Sequence, residues 1–501
     1  MLTGQLTHNR SWANYDDNGQ ITMHRDQYIF HQQITRSVKW KHIDTNFYQK
    51  FAVSIILQRR RPIEVSTKLQ LRSPSNVEFE AFLRSQNYPE NQLSIRLWGE
   101  NEFTLSALFF HPDLNVARAL LRRAQSAKIT AAQRPEIGVS GGLENHGQSN
   151  DKSPWTYRLA IDVPIITANK REAQVAIAAG LSEASRIEVA QTAWSVHSRV
   201  AKSLLEYQYS IALTSVLKDE VAMRSSIVEM LVKRMDAGMA SSIEVSNARI
   251  SLQKAEQAFV AESGRTPALA ASLSNDAGLG ISAFNQLSVK PFEQATRVDL
   301  SNLQYQSLLN RLDIRASLAR YEAAEAKLRL EIAKQYPDIT LSPSKALDQG
   351  DRIWSLGFSS LLTLINKNRG MIAEVNALRD VEVAQFEALQ SKIIGDLNQT
   401  KAAYDAAAEA SNKAQALLVS QQKRIQQNEQ QFNAGLTDRL EFTNTQLENI
   451  IATENMLNSA YQLNAAKLNL EDVLQRPLDD RLSIQNNLNI TDNTFPRNNS
   501  Q

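Results

Sequence analysis

Residues 302–341 read NLQYQSLLNRLDIRASLARYEAAEAKLRLEIAKQYPDITL, and this stretch decides the fold. Ala316, Ala319, Ala323, Ala326, Leu330 and Ala333 fall at alternating steps of three and four. Residues so spaced line one stripe of a helix and repeat every seven positions, as on a coiled-coil face. Alanine on the stripe lets a second helix come close. The helix must stop at Tyr336-Pro337, because proline has no amide hydrogen and its ring disfavours helical geometry in the residue before it. Beyond the proline the period changes. Ile339 and Leu341 point one way, Asp338, Thr340 and Ser342 the other. A helix hands over to a strand.

The same hand-over occurs 200 residues upstream. His111-Pro112-Asp113-Leu114 matches Arg311-Leu312-Asp313-Ile314 and opens another Ala-bearing helix, predicted from Glu102 to Gln133. That helix ends at Arg134-Pro135, and Ile137, Val139, Gly141 and Leu143 then alternate with Glu136, Gly138, Ser140 and Gly142. The chain is internally duplicated. The repeats are expected at 98–290 and 291–478, after an N-terminal segment, 1–97, and before a polar tail, 479–501.

Each repeat carries two strands, expected at 136–144 and 155–165, then at 337–343 and 353–363. The second is the clearest. Trp155, Tyr157, Leu159, Ile161, Val163 and Ile165 face one way, while Thr156, Arg158, Ala160, Asp162 and Pro164 face the other. Eleven residues suffice for a tilted strand to cross a bilayer. A large apolar face opposite a charged one suits a wall between lipid and water. In the second repeat Trp354, Leu356 and Phe358 lie on one side of the last strand, after a polar loop, KALDQGD. Trp155 and Trp354 are expected at equivalent places on the loop end, where an aromatic girdle would sit.

Long helical segments follow each strand pair, at 168–236 and 368–433, each about 100 Å long at about 1.5 Å per residue. Both end on similar turns, Met235-Asp236-Ala237-Gly238-Met239 and Phe432-Asn433-Ala434-Gly435-Leu436, with glycine at the position that closes a helix in left-handed geometry. Return helices are expected at 240–277 and 437–475, each stacked end to end on a pre-strand helix. Leu440, Leu447, Tyr461 and Leu468 share one heptad position, and Leu418, Ile425 and Phe432 share another. Residues 278–300 read as an irregular connector. The fold class is therefore mainly α with a small β part: long antiparallel coiled-coil helices plus four membrane strands per chain.

Composition narrows the function. The 501 residues carry 55 basic and 53 acidic side chains, net charge +2, which argues against a nucleic-acid binder. There is no cysteine, so disulfides, thiolate metal sites and cysteine nucleophiles are excluded. No run approaches 18 apolar residues, so no transmembrane helix is expected; a membrane β-barrel gives no such run. Residues 1–95 show no sustained period and read as poorly ordered or extended, without a secretory signal pattern. Phe51–Leu57 (FAVSIIL) precedes Arg59-Arg60-Arg61 with no cleavage site and reads as a short buried strand or a disordered segment. The seven histidines, His8, His24, His31, His42, His111, His146 and His197, form no metal-ligand spacing and read as surface or helix-start residues. No catalytic constellation and no phosphate-cradling glycine loop is present, so no enzyme activity, metal or cofactor is expected.

The ordered set resembles the TolC family of trimeric outer-membrane efflux proteins over residues 98–478. The resemblance rests on HPDLNVARA and NRLDIRASLARYEAAEAKL, on the Pro-led strands, and on the turns MDAGMASSIEVSNAR and FNAGLTDRLEFTNTQ. WGENEFTLSALFFHPDL, EIAKQYPDITLSP and NKNRGMIAEVNA are similar to the heavy-metal efflux branch. Two features depart from the family pattern. A signal peptide is missing, and Thr363 stands where the first half has Pro164, which leaves the exit angle of the last strand open.

The resemblance implies a homotrimer in the outer membrane of a Gram-negative bacterium, with a twelve-stranded barrel above a periplasmic α-helical tunnel. It implies a passive export duct for small molecules or metal ions, served by a periplasmic adaptor and an inner-membrane pump. A type I secretion duct for proteins and a non-channel coiled-coil scaffold are the alternatives. Trp155, Tyr157, Leu159, Trp354, Leu356 and Phe358 would face outer-membrane lipid. Ala237, Gly238, Met239, Ala434, Gly435 and Leu436 would form the periplasmic tips where the adaptor docks. Glu441, six residues beyond Gly435, matches an acidic position that lines the tunnel entrance in the family; Glu244 stands equally far beyond Gly238. Asn444 occupies the family's next acidic position.

Overall fold

Helix gives way to strand at both prolines. The computed structural model describes residues 72–85, 97–146, 154–295, 311–348, 350–361 and 367–478, all within one compact unit, Leu69–Gln501. The expectations for Phe51–Leu57, for Thr363 and for the polar tail beyond 478 lie outside these residues. In order come α1 (Val77–Ser85), β1 (Leu97–Trp98), α2 (Glu100–Phe110), α3 (Pro112–Ala132), β2 (Gly138–Asn145) and β3 (Trp155–Ile165). Then follow α4 (Lys170–Asp236), α5 (Ser242–Asp276), α6 (Ile281–Phe284) and β4 (Ser288–Val289). The second repeat contributes α7 (Leu312–Ala333), β5 (Ile339–Asp348), β6 (Asp351–Ser360), α8 (Arg369–Asn433) and α9 (Arg439–Leu474).

The alanine stripe is the buried face of α7. Ala316, Ala319, Ala323, Ala326 and Leu330 are all buried. The neighbour is α4, which places Gly180 so close that a Cβ there would lie 3.0 Å from Ala323 Cβ and 3.1 Å from the Ala319 carbonyl oxygen. Small residues on both sides let the two backbones approach.

The duplication extends to backbone angles. His111 and Arg311, the residues before α3 and α7, share φ −65°, with ψ 130° and 135°. Each long helix, α4 and α8, is entered through a pair with positive φ, Ala168-Asn169 at 56° and 57° and Lys367-Asn368 at 41° and 51°. In the first half Lys170 Nζ, itself buried, donates to the Tyr336 carbonyl at 2.6 Å and to Asp338 Oδ1 at 2.7 Å, clamping the start of α4 to the start of β5. In the second half Asn368 Nδ2 donates to the Glu331 carbonyl at 2.9 Å.

The return helices stack on the pre-strand helices. The end of α9 abuts the start of α7, where Leu312 N donates to Gln475 Oε1 at 2.8 Å. The end of α5 abuts the α2–α3 junction, where Ser106 Oγ donates to the Ala277 carbonyl at 3.0 Å. Together α5 (35 residues) and α3 (21) run beside the 67 residues of α4.

Several expectations need correction. Residues 72–85 are not extended: α1 buries Phe79, Phe82 and Leu83, an i, i+3, i+4 set too short to register as a period. The helix expected from Glu102 to Gln133 breaks at His111, the residue before Pro112, into α2 and α3. The connector contains α6 and β4, and β4 pairs in parallel with β1. These pieces gather Phe79, Phe82, Trp98, Phe103, Phe110 and Phe284 into the largest buried cluster, against Val196, Val200 and Leu204 of α4. β5 continues past residue 343 to Asp348, so most of KALDQGD is strand and two positions separate β5 from β6. Within the protomer, α9 meets α8 through Leu463, Leu470 and Leu474, beside the expected row. Tyr461 of that row instead stacks on Tyr209 of α4, ring centres 4.3 Å apart.

Candidate functional site

Two regions carry the expected function: a four-stranded sheet at one end of the long helices and two turns at the other. The sheet is antiparallel in the order β2-β3-β5-β6. Paired residues share a face, so the register sorts every side chain. One rung holds Leu143, Tyr157, Leu347 and Arg352, and another holds Gly141, Leu159, Lys345 and Trp354. Further from the β5–β6 turn come Val139 with Ile161, Pro343 with Leu356, and Val163 with Leu341 and Phe358. Trp155, Tyr157, Leu159, Trp354, Leu356 and Phe358 therefore lie on one apolar face, and all are exposed in the single chain. Trp155 and Trp354 are not level: Trp354 pairs with Lys345, two same-face rungs deeper than Trp155.

The opposite face is polar. It holds Thr156, Arg158, Ala160 and Asp162, with Ser140, Ser344 and Ser355. Ser342 Oγ donates to Asp162 Oδ1 at 2.6 Å. Among the described residues β2 and β6 are the edge strands, and each has one side without a strand partner.

At the far end both turns close by the same hydrogen bonds. Gly238 N donates to the Met235 carbonyl and Met239 N to the Arg234 carbonyl, at 2.9 and 2.7 Å. Gly435 N and Leu436 N repeat this with Phe432 and Gln431, at 3.0 and 2.9 Å. Both glycines are left-handed, φ +72° and +73°, and a Cβ on either would meet nothing within 4 Å. Ala237 and Ala434 are the residues on which α4 and α8 end. Met239 and Leu436 are 73% and 79% exposed, a pair of uncovered apolar tips.

The two acidic positions differ. Glu244 closes a capping box: its N–H donates to Ser241 Oγ at 3.2 Å, and its Oε2 accepts from Ser241 N at 2.8 Å. In the second turn Asp438 takes the cap, accepting from Glu441 N at 2.9 Å. The Glu441 carboxylate is exposed and outside any capping box. Asp438 also accepts from Arg234 Nη2 at 2.8 Å, which joins the first turn to the second. The Arg234 hydrogen bond, helped by the Glu441 amide, holds the Asp438 carboxyl below the usual range. Sequence spacing gives no signal for this pair, 204 residues apart.

The histidines split. His111 is a helix start as expected, its Nδ1 accepting from Asp113 N at 3.2 Å. His197 is not at the surface: it lies under α2, its Nδ1 3.0 Å from Thr104 Oγ1, and burial pulls its pKa down to about 4. Among the described residues no group of three acidic or histidine side chains is placed to hold a metal, and no helix is long and apolar enough to cross a membrane.

Long helical hairpins below an amphipathic four-stranded sheet are the architecture of the chain. The chain belongs to the outer membrane efflux protein family, whose model matches residues 106–275 and 303–475. It is similar to the multidrug resistance outer membrane protein MdtQ of Escherichia coli O157:H7, 25% identical over 281 residues, 51% of this chain and 58% of the relative. It is also similar to the cobalt-zinc-cadmium resistance protein CzcC of Cupriavidus metallidurans, 23% identical over 248 residues, 48% and 58% of the two chains. The alignment thus spans less than two thirds of either curated relative. The fold is that of the outer membrane protein VceC of Vibrio cholerae, with a TM-score of 0.62, 19% identity, and coverage of 76% of this chain and 97% of that one.

Proposed function

We propose that this chain is the outer-membrane duct of a tripartite efflux system, a passive channel through which a pump and its periplasmic adaptor expel small molecules or metal ions. The observation that carries this reading is the sheet: one apolar face, one polar face, and two edges that pair with no strand among the described residues. Exposed sheet edges are not tolerated in lipid, and a barrel abolishes them. Three copies would close twelve strands, apolar face to lipid and Arg158 and Asp162 to the lumen. α8 supports assembly as well, leaving Met371, Leu378, Val381, Ile394 and Leu417 exposed for a neighbouring copy to cover. The uncovered Met239 and Leu436 at the tips suit adaptor docking. Similarity to CzcC favours metal ions as cargo and similarity to MdtQ favours drugs.

The test is purification from outer membranes in detergent, sizing by light scattering, and single-channel recording in planar bilayers. A heat-modifiable trimer that conducts is the expected result. A stable monomer found only in the soluble fraction would leave the coiled-coil scaffold as the reading.

A further inference from the structure

The apolar face of the sheet carries two cations, and both lie at one end. Lys345 pairs with Trp354 and with Leu159; Arg352 pairs with Leu347, next to Tyr157. These are the rungs nearest the β5–β6 turn on that face. The rungs beyond, through Ile161, Leu356, Phe358 and Ile165, carry no charge. The acids of the turn end, Glu144, Asp348 and Asp351, stand on the opposite face. Among the described residues neither Lys345 nor Arg352 forms an ion pair, and both are exposed. Lys345 Nζ sits 4.8 Å from the centre of the Trp354 ring.

A cation directed into lipid is costly at mid-depth and tolerated near the interface, where a long side chain reaches the headgroups. Depth alone therefore permits these two residues. Their arrangement does more. Lys345 and Arg352 are diagonal neighbours on adjacent strands, about 7–8 Å apart and within reach of one group placed between them. Lysine offers an ammonium on a flexible stem, and arginine a planar fork that matches phosphate oxygens. Trp354 and Tyr157 flank them at the level where aromatic rings lie among headgroups.

Resting on the barrel reading above, we infer that Lys345 and Arg352 form a site on the outer rim for the phosphate of an outer-leaflet lipid headgroup. Three copies would place three such sites around the barrel. The clamp would hold one lipid per subunit against the β5–β6 hairpin, with its acyl chains along Leu356 and Phe358.

The test uses the full-length assembly in detergent and counts lipid adducts by native mass spectrometry. The probes are lipid A with its phosphates and the same lipid enzymatically dephosphorylated. The wild-type protein should retain the phosphorylated form in preference, by roughly fivefold for each cation engaged. The double variant Lys345→Gln/Arg352→Gln should lose the preference, and Lys345→Arg/Arg352→Lys should keep it. Arg158→Gln, on the polar face, should keep it too. Equal retention of the two lipids by the wild-type protein overturns the site, and so does a preference that survives the double Gln substitution or disappears with Arg158→Gln. Release of the lipid by excess inorganic phosphate would mark a site for a soluble ion and overturn it as well. Should the double variant fail to assemble, the two-lipid comparison on the wild-type protein decides. A heat-modifiable trimer without phosphate preference sinks this site alone; absence of any heat-modifiable trimer sinks the barrel reading with it.

Discussion

Arg234 Nη2 donates to Asp438 Oδ2 across 2.8 Å, and this bond ties the tip of the first helical hairpin to the tip of the second. Asp438 is also the residue that caps α9. One carboxylate thus starts a helix and holds its neighbour. Both partners are solvent-exposed, so the pair contributes at most about 1 kcal/mol to stability. Its effect should appear at the tips instead. Arg234→Ala should leave the trimer intact and raise conductance in planar bilayers. Because the Asp438 pKa is depressed in the folded protein, the link is fully present above the usual carboxylate range and is lost as pH falls through the folded value. Conductance indistinguishable from wild type would show that the tips are held by other contacts.

The turn glycines are required for backbone geometry and not for space. Alanine at Gly238 or Gly435 would meet no atom but would have to adopt a positive φ, at a cost of about 1 kcal/mol per site. Thermal unfolding of each variant measures this. A bulkier residue at both sites should abolish export while trimers persist, since the turn is where an adaptor would dock. Normal efflux from that double variant would remove the docking role.

Register makes the sheet testable one residue at a time. Leu159 pairs with Gly141 and Lys345 on the apolar face; its neighbour Ala160 pairs with Ser140 and Ser344 on the polar one. Leu159 shares the rim rung of Lys345, so Leu159→Arg should cost about 1 kcal/mol or less, whereas Phe358→Arg, two same-face rungs deeper, should cost roughly 2–4 kcal/mol. Ala160→Arg should be tolerated better than either. Unfolding in lipid vesicles compares the three, and equal losses would reverse or blur the assigned faces.

His197 supplies a pH dependence that can be assigned to one residue. Its pKa falls from 6.5 to about 4 because burial disfavours the charged ring, with Asp472 opposing in part. The unfolded chain therefore binds the proton more readily, and stability drops as pH falls from the unfolded value toward the folded one. A tenfold difference in proton affinity is worth about 1.4 kcal/mol, so a loss of roughly 3 kcal/mol accumulates by the lower end. Urea unfolding between pH 7 and 5 should show this slope, and His197→Gln should flatten it. An unchanged slope would assign the acid sensitivity to other groups.

Local rules make much of this fold legible. The alanine stripe of α7, the helix stop at Tyr336-Pro337 and the alternation of β3 each follow from a few neighbouring residues. The glycine turns are readable because a helix end in left-handed geometry has few occupants. What local rules miss depends on distant partners. α1 is defined by burial of Phe79 against Trp98 and Phe110, whose rings no periodicity brings together. The continuation of β5 through Lys345 reads as a loop because a lysine on an apolar face breaks the alternation. Arg234–Asp438 and Lys170–Asp338 join residues 204 and 168 positions apart, and only the duplicated hairpins bring them together.

The two acidic residues after the turns carry different expectations. Glu244 uses its carboxylate on the Ser241 amide, so Glu244→Gln should act mainly on the start of α5, at about 1 kcal/mol or less. Glu441 is relieved of that duty by Asp438 and stands exposed six residues past Gly435. If three copies place three such carboxylates about one narrow axis, their summed field attracts cations. Single-channel recording should then show cation selectivity and block by trivalent cations, and Glu441→Gln should weaken both. Glu244→Gln should leave both in place. Selectivity and block that survive Glu441→Gln would place this carboxylate on a solvated helix start, where it complements the helix dipole and nothing more.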